Sequence, residues 1–253
     1  MLQLKNISRP DLVYIIISSL LFIYLVLRAI FFPLVHDEVA TFFHYINTGR
    51  FLPFDAHWDA NNHTLNSFIS IVFYNIFGSS ELVLRIQNLI TFPIYAYFIY
   101  LISQKLETKL IRWAFISAFL FAHGFIEFFA LTRGYGMSMA LLAGAIWHLI
   151  RSFETNKGKH FALSLLFIAL GQFANLTLVN SAIIIIILLY YKIIISRQEE
   201  NVKRGFKAML VFNLGILPLI FFSYVSFIYQ NKGLLYYGSN TGFWDITVNT
   251  QLW

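Results

Sequence analysis

The chain has 253 residues, 58% hydrophobic and only 12% charged, with a positive mean hydropathy of +0.69. Soluble domains carry about 25% charged residues, so this composition excludes an ordinary soluble protein and indicates a membrane one. The absence of Cys removes disulfides, thiol catalysis and cysteine metal sites. The net charge of +6 sits in short loops between apolar runs, without the basic, aromatic-interleaved patch that nucleic acid requires.

Lys5 and Arg9 precede an apolar run over 12–34. That run is too long for the apolar core of a signal peptide and lacks a small-residue cleavage site, so it reads as an uncleaved first span. A crossing needs ~20 apolar residues. By that measure the spans are 12–34, 82–103, 111–130, 134–151, 161–177, 180–196 and 208–229. As one helix, 161–196 would be ~54 Å long, beyond any bilayer. Gly171, Gln172, Asn175, Thr177 and Asn180 interrupt it and both ends are basic, so it is expected to cross twice, gathering Gln172, Asn175 and Asn180 at one face.

Residues 62–78 are two-faced. Leu65, Phe68, Ile69, Val72, Phe73 and Ile76 recur at helical spacing, Asn66, Ser67, Ser70 and Asn75 fill much of the remainder, and Gly78 ends the run. The segment reads as an interfacial helix. With it lying in the interface, 13 of the 18 basic residues fall on the inner side; as a span it would place 11 outside. The sequence therefore predicts an all-α, polytopic membrane bundle of about seven transmembrane helices, N-terminus inside, with residues 35–81 as one large outer loop. The membrane module extends over 1–230. The polar, aromatic stretch 231–253 reads as the start of a further outer loop, so the chain looks like the N-terminal part of something longer.

Candidate chemistry concentrates in that first loop. Residues 35–66 hold four of the twelve carboxylates and four of the seven histidines: Asp37, Glu38, Asp55 and Asp59, with His36, His44, His57 and His63. A short amphipathic helix with Val39, Phe42, Phe43 and Ile46 on its apolar face starts near His36 or Asp37. Asp37 can serve there as an N-cap and Glu38 as a partner for the helix dipole. Asp37 can equally project from the helix start as a general base, and the two roles are compatible. In a second outer turn, Glu127 and Arg133 either pair to cap a helical hairpin or leave the arginine to hold a lipid phosphate, which its planar fork suits. Arg85 either snorkels, pairs with Glu81, or serves the site. No fixed ligand spacing such as H-x-x-x-H links the loop's histidines and carboxylates, so a loosely bound divalent metal is compatible with the composition but not specified by it.

Four short motifs occur in order: His36-Asp37-Glu38 after the first span, Asn61-Asn62-His63, Phe77-Gly78-Ser79-Ser80-Glu81-Leu82-Val83-Leu84-Arg85, and Arg133-Gly134-Tyr135. Together they resemble the GT-C glycosyltransferases, in particular the protein O-mannosyltransferase and lipid A aminoarabinose-transferase group with its rhizobial lipopolysaccharide-transferase relatives (glycosyltransferase family 39-like). The similarity runs over roughly residues 10 to 230.

The resemblance implies an inverting sugar transfer from a polyprenyl-phosphate donor to a lipid, glycan or protein acceptor. It would take place at the periplasmic or exterior face of a bacterial inner membrane, with the prenyl tail in a groove between spans. Asp37 is then the base, oriented by Glu38 or Glu127. Arg133, with Arg85 or His63, meets the donor phosphate, and His36, Asn62 and Tyr135 support them. His63 stands where some members carry lysine, and Arg133 and Tyr135 stand near the family's second acidic position. Two other classes remain open at this point, a lipid or sugar transporter and a non-catalytic assembly subunit. A transporter would need ionisable groups along a midplane path, whereas here they cluster outside.

Overall fold

A computed structural model describes residues 9–53, 55–57, 62–195 and 216–233 of the chain. Asp59, Asn61, Lys5, the basic residues 197–207, the first part of the seventh predicted span and the tail from 234 onward lie outside the described residues. All regular structure among the described residues is helical. In chain order it comprises α1 (Arg9–Phe31), α2 (His36–Thr41) continuing into a π-helical turn (Phe42–Ile46), α3 (Thr64–Phe77), α4 (Glu81–Ser103) and α5 (Lys109–Leu120). There follow α6 (His123–Ile126) with a 3-10 turn (Glu127–Ala130), α7 (Tyr135–Thr155), α8 (Gly158–Ala174), α9 (Val179–Ile195) and α10 (Ile216–Asn231).

The local chemistry accounts for the boundaries. Ser80 Oγ accepts from the Val83 N–H at 3.4 Å and Thr108 Oγ1 from the Ile111 N–H at 3.3 Å, opening α4 and α5 with hydroxyl caps. Gly78 closes α3 at a φ of 88°, a conformation open to glycine. The 161–196 run breaks where expected: the Asn175 side chain accepts from the Thr177 N–H at 3.1 Å, nucleating a turn between α8 and α9. Gln172 and Asn175 are buried there, but Asn180 is exposed and does not join them.

Among the described residues, helices occupy each of the seven predicted crossing segments. Three are long and apolar enough to cross a membrane: Pro10–Phe31, Glu81–Ser103 and Leu176–Ile195. A fourth qualifies if Lys109–Leu120 and His123–Ala130, bent by 54° at their junction, count as one span. The span expected over 111–130 is thus bent in the middle. α8, with 17 residues, is short for an upright crossing, and α7 ends in the charged Arg151 and Glu154.

Two apolar cores hold the bundle. One joins α1, α4, α5 and α7 around Leu25, Phe92, Leu120 and Phe129, and the other joins α7, α8 and α9 around Ala145, Phe161, Ile168 and Leu189. Tyr14 Oη donates to the Ala96 carbonyl at 2.6 Å, fastening α1 to α4.

The surface is inverted relative to a soluble protein. On α3 the polar residues Asn66, Ser67 and Ser70 are fully buried, while Phe68, Val72, Ile76 and Phe77 are 45%, 43%, 65% and 63% exposed. α1 exposes Leu20 and Ile23, and α9 exposes Ile184, Ile187 and Ile194. Contiguous apolar faces of this kind call for hydrocarbon as solvent. The protein is a membrane protein. α2 departs from its expected single apolar face: Ile46 is buried whereas Val39 and Phe43 are exposed. Its second half is a π turn, closed by the Asn47 N–H donating to the Phe42 carbonyl at 2.8 Å, and the added residue rotates that face.

Candidate functional site

The first turn of α2 separates two adjacent carboxylates. Its N-cap is Val35, so neither His36 nor Asp37 caps the helix as the sequence allowed. Glu38 is 0% exposed and saturated. Its Oε1 accepts from Arg85 Nε at 2.8 Å and from the Thr132 backbone N–H at 2.6 Å. Its Oε2 accepts from Arg85 Nη2 at 2.6 Å and from the Val35 N–H at 3.0 Å. One carboxylate therefore clamps the loop entry, α4 and the segment before α7. Arg85 is equally committed. Its remaining N–H groups donate to the carbonyls of Ala29 at 3.1 Å, Phe32 at 2.7 Å and Pro33 at 3.1 Å. All five guanidinium donors have protein acceptors, so Arg85 neither snorkels nor pairs with Glu81, and nothing in it remains for a donor phosphate.

Asp37 is the contrasting case. Its side chain is 54% exposed and lies 3.6 Å from Arg133 Nη2 and 3.6 Å from His36 Nδ1, His36 itself being 97% exposed. Arg133 Nη1 also approaches the Asp37 carbonyl at 3.5 Å, and its guanidinium lies 5.5 Å from the Tyr135 ring centroid. Arg133 is only 4% exposed. The arrangement is a nearly buried guanidinium held under an exposed carboxylate.

Arg133 is positioned by a close crossing of backbones. A Cβ on Gly134 would lie 1.9 Å from the Ala174 carbonyl oxygen and 2.8 Å from His63 Cβ, so only glycine fits there. His63 Nδ1 sits 2.8 Å from the same Ala174 oxygen, which makes Nδ1 the protonated nitrogen. Burial, reinforced by the neighbouring Arg133 guanidinium, pushes the His63 imidazole down to about 3. His63 is therefore neutral and cannot supply the positive charge that the sequence reading offered to a phosphate. It is a wedge between α3, Gly134 and the end of α8. Tyr135 packs edge-on against His63 at 4.6 Å and at a tilt against Phe128 at 4.7 Å. Asn62 donates to the Phe51 carbonyl at 2.8 Å and accepts from Ser67 Oγ at 3.1 Å, so it ties the loop to α3.

Glu127 is not in this group, and it does not pair with Arg133. It meets Arg28 at 3.2 Å and His123 at 3.1 Å, bridging α1 to the bend after α6. A role in orienting Asp37 is removed by that placement. The sequence reading also missed a buried amide network. Asn66 Oδ1 accepts from Asn88 Nδ2 at 2.7 Å and from Gln87 Nε2 at 3.2 Å, while Asn66 Nδ2 donates to the Thr132 carbonyl at 3.2 Å. Asn88 further donates to the Leu131 carbonyl at 2.9 Å and accepts from the Met137 N–H at 3.1 Å. Two consecutive amides inside an apolar span were the available signal, because hydrocarbon makes such groups find partners.

A polar recess of about 460 Å³, lined by Phe43, His44, Arg50, Asp55 and His57, opens in the same loop, with the His44 and His57 rings stacked at 4.2 Å. Among the described residues no three His, Asp or Glu side chains converge as metal ligands would. The chain matches no model of a known protein family, no curated protein and no solved structure.

Proposed function

We propose that the protein is an integral membrane glycosyltransferase that moves a sugar from a polyprenyl-phosphate donor to a lipid, glycan or protein acceptor. In this reading seven helices cross the membrane and the Asp37 end faces the periplasm or exterior. The observation that carries the reading is the pairing of one exposed carboxylate, Asp37, with one nearly buried guanidinium, Arg133, on a rigid clamp beside a helix that presents its apolar face to lipid. The motif order His36-Asp37-Glu38 and Arg133-Gly134-Tyr135, with its resemblance to GT-C enzymes, supports the same chemistry.

In the mechanism, Asp37 takes the proton of the acceptor hydroxyl as that oxygen attacks the anomeric carbon. The bond from that carbon to the phosphate oxygen breaks, and its electron pair leaves with the phosphate. Arg133 stabilises the charge that grows there. Glu38 and Arg85 act at one remove, by fixing the start of α2 and the residue before Arg133. The prenyl chain runs in the bilayer against the exposed Phe68, Val72 and Ile76 of α3.

The test is a donor screen with purified protein and polyprenyl-phosphate sugars, reading products by mass spectrometry. Asp37→Asn is expected to lower transfer by roughly 10²–10⁴-fold while leaving thermal stability unchanged. Undiminished transfer by that variant overturns the assignment.

A further inference from the structure

A second cavity is lined by residues of α1 and α4 and does not include Asp37. A groove of about 600 Å³ runs between α1 and α4, walled by Tyr14, Ile15, Ser19, Phe22, Pro93 and Tyr97. Along α1 its lining runs from Asp11, at the start of the helix, to Ile23. Asp11 stands roughly 30 Å along α1 from the residues that enter the first loop. The exposed Ile15, Ile23 and Tyr97 on its rim place its mouth on the lipid-facing surface.

At the Asp11 end the groove continues into a recess of about 40 Å³, with Asp11, Tyr14 and Tyr100 shared between the two. There the lining changes character to Gln104, Lys109, Arg112 and Trp113. Among the described residues Asp11 is the one carboxylate on that lining, and it accepts from Tyr100 Oη at 2.5 Å. Among the described residues, Lys109 and Arg112 outnumber Asp11 on this lining, two cations against one carboxylate. Arg112 spends one nitrogen weakly, Nη2 on the Leu106 carbonyl at 3.4 Å, and its Nε is buried without an acceptor. A donor removed from water without a partner is unfavourable unless something supplies an oxygen.

We propose that this cleft binds a monoanionic glycerophospholipid. One acyl chain lies in the groove between α1 and α4, the phosphodiester meets Lys109 and the Arg112 guanidinium, and Trp113 sits at headgroup level. The lipid wedges α1 against α4 at the end of the bundle opposite Asp37. The inference is independent of the glycosyl-transfer reading, because its evidence is at the other membrane surface and its readout is binding.

Delipidated protein in detergent, titrated with phosphatidylglycerol or phosphatidylcholine and followed by native mass spectrometry, tests it. Two basic contacts predict a preference of roughly thirty-fold for phosphatidylglycerol. Lys109→Ala/Arg112→Ala should abolish the preference, and Ser19→Phe, at an exposed groove position, should weaken both lipids. Helical circular dichroism and column elution check that each variant folds, and Lys109→Gln/Arg112→Gln carries the charge test if the alanine pair does not. Equal affinity for the two lipids overturns the proposal, as does a preference that survives loss of both cations. Displacement of phosphatidylglycerol by sub-stoichiometric polyprenyl phosphate would reassign the groove to that lipid and overturn it equally.

Discussion

Replacing Glu38 with Gln keeps the shape of the clamp and removes its charge. The carboxylate accepts four N–H groups, two at each oxygen. Glutamine offers one oxygen and one amino group, so two of those donors face another donor. The Arg85 guanidinium, 1% exposed, then lies buried without a counterion. Breaking a buried pair from one side costs about 3–5 kcal/mol, and the orphaned N–H groups are part of that figure rather than additional to it. On a chain of this size about 4 kcal/mol corresponds to a drop in thermal midpoint on the order of 10 °C. The assay is thermal unfolding in detergent followed by intrinsic fluorescence. Glu127→Gln, whose pair with Arg28 is 23% and 16% exposed, serves as the control and should cost about 1 kcal/mol. A double-mutant cycle makes the test sharper. Arg85→Met leaves Glu38 charged and buried, whereas the Glu38→Gln/Arg85→Met pair leaves no charge at all, so the double variant should lose less than the sum of the singles by ~2 kcal/mol or more. Strict additivity, or a Glu38→Gln variant no weaker than Glu127→Gln, would refute the clamp.

Gly134→Ala should cost at least ~3 kcal/mol or prevent folding, because its methyl group would meet the Ala174 carbonyl at 1.9 Å. Gly124→Ala, with nothing within 4 Å of its Cβ, should be close to neutral in the same unfolding assay. His63 gives a pH signature. Its folded-state value of about 3 lies below its ordinary one, so its contribution is complete above pH ~6.5 and is lost as pH falls towards 3. The expected slope is at most ~1.4 kcal/mol per pH unit, read from thermal midpoints between pH 4 and 8, and it should disappear in His63→Gln. An unchanged acid slope in that variant would place the titration elsewhere.

The helices were legible because apolar runs and their interruptions are local properties. Gly78 ending α3 and Asn175 breaking α8 from α9 could be read from a few neighbouring residues. The pairings were not legible, since they join residues far apart in sequence. Glu127 and Arg133 are six residues apart and invite a local pair. Leu131 is extended, however, with φ −121° and ψ 148°, and the chain leaves the 3-10 turn in another direction. Arg133 arrives at Asp37 and Glu127 stays with Arg28. Glu38 and Arg85, 47 positions apart, have no local pattern linking them. Gly134 carries no pattern either, because its constraint is a backbone crossing with Ala174 that exists only in the fold.

The same logic explains why two neighbouring acids behave oppositely. Consecutive helical residues point about 100° apart, so the second and third positions of α2 cannot both face the bundle. Glu38 takes the inward direction, and its extra methylene reaches Arg85 and the Thr132 N–H together. Asp37 is left outward, above Arg133. Were the order reversed, the shorter carboxylate would face the four donors and the longer, more mobile one the solvent. As arranged, the buried acid supplies rigidity and the exposed acid keeps accessible oxygens. Beneath α3, the polar network of Asn66, Gln87, Asn88 and Thr132 is buried, so its amides and hydroxyl satisfy one another. In the proposed transfer, a carboxylate on so stiff a mount, beside a guanidinium, is what positions a reacting hydroxyl against an anion. Surface charge on a flexible loop would not do so.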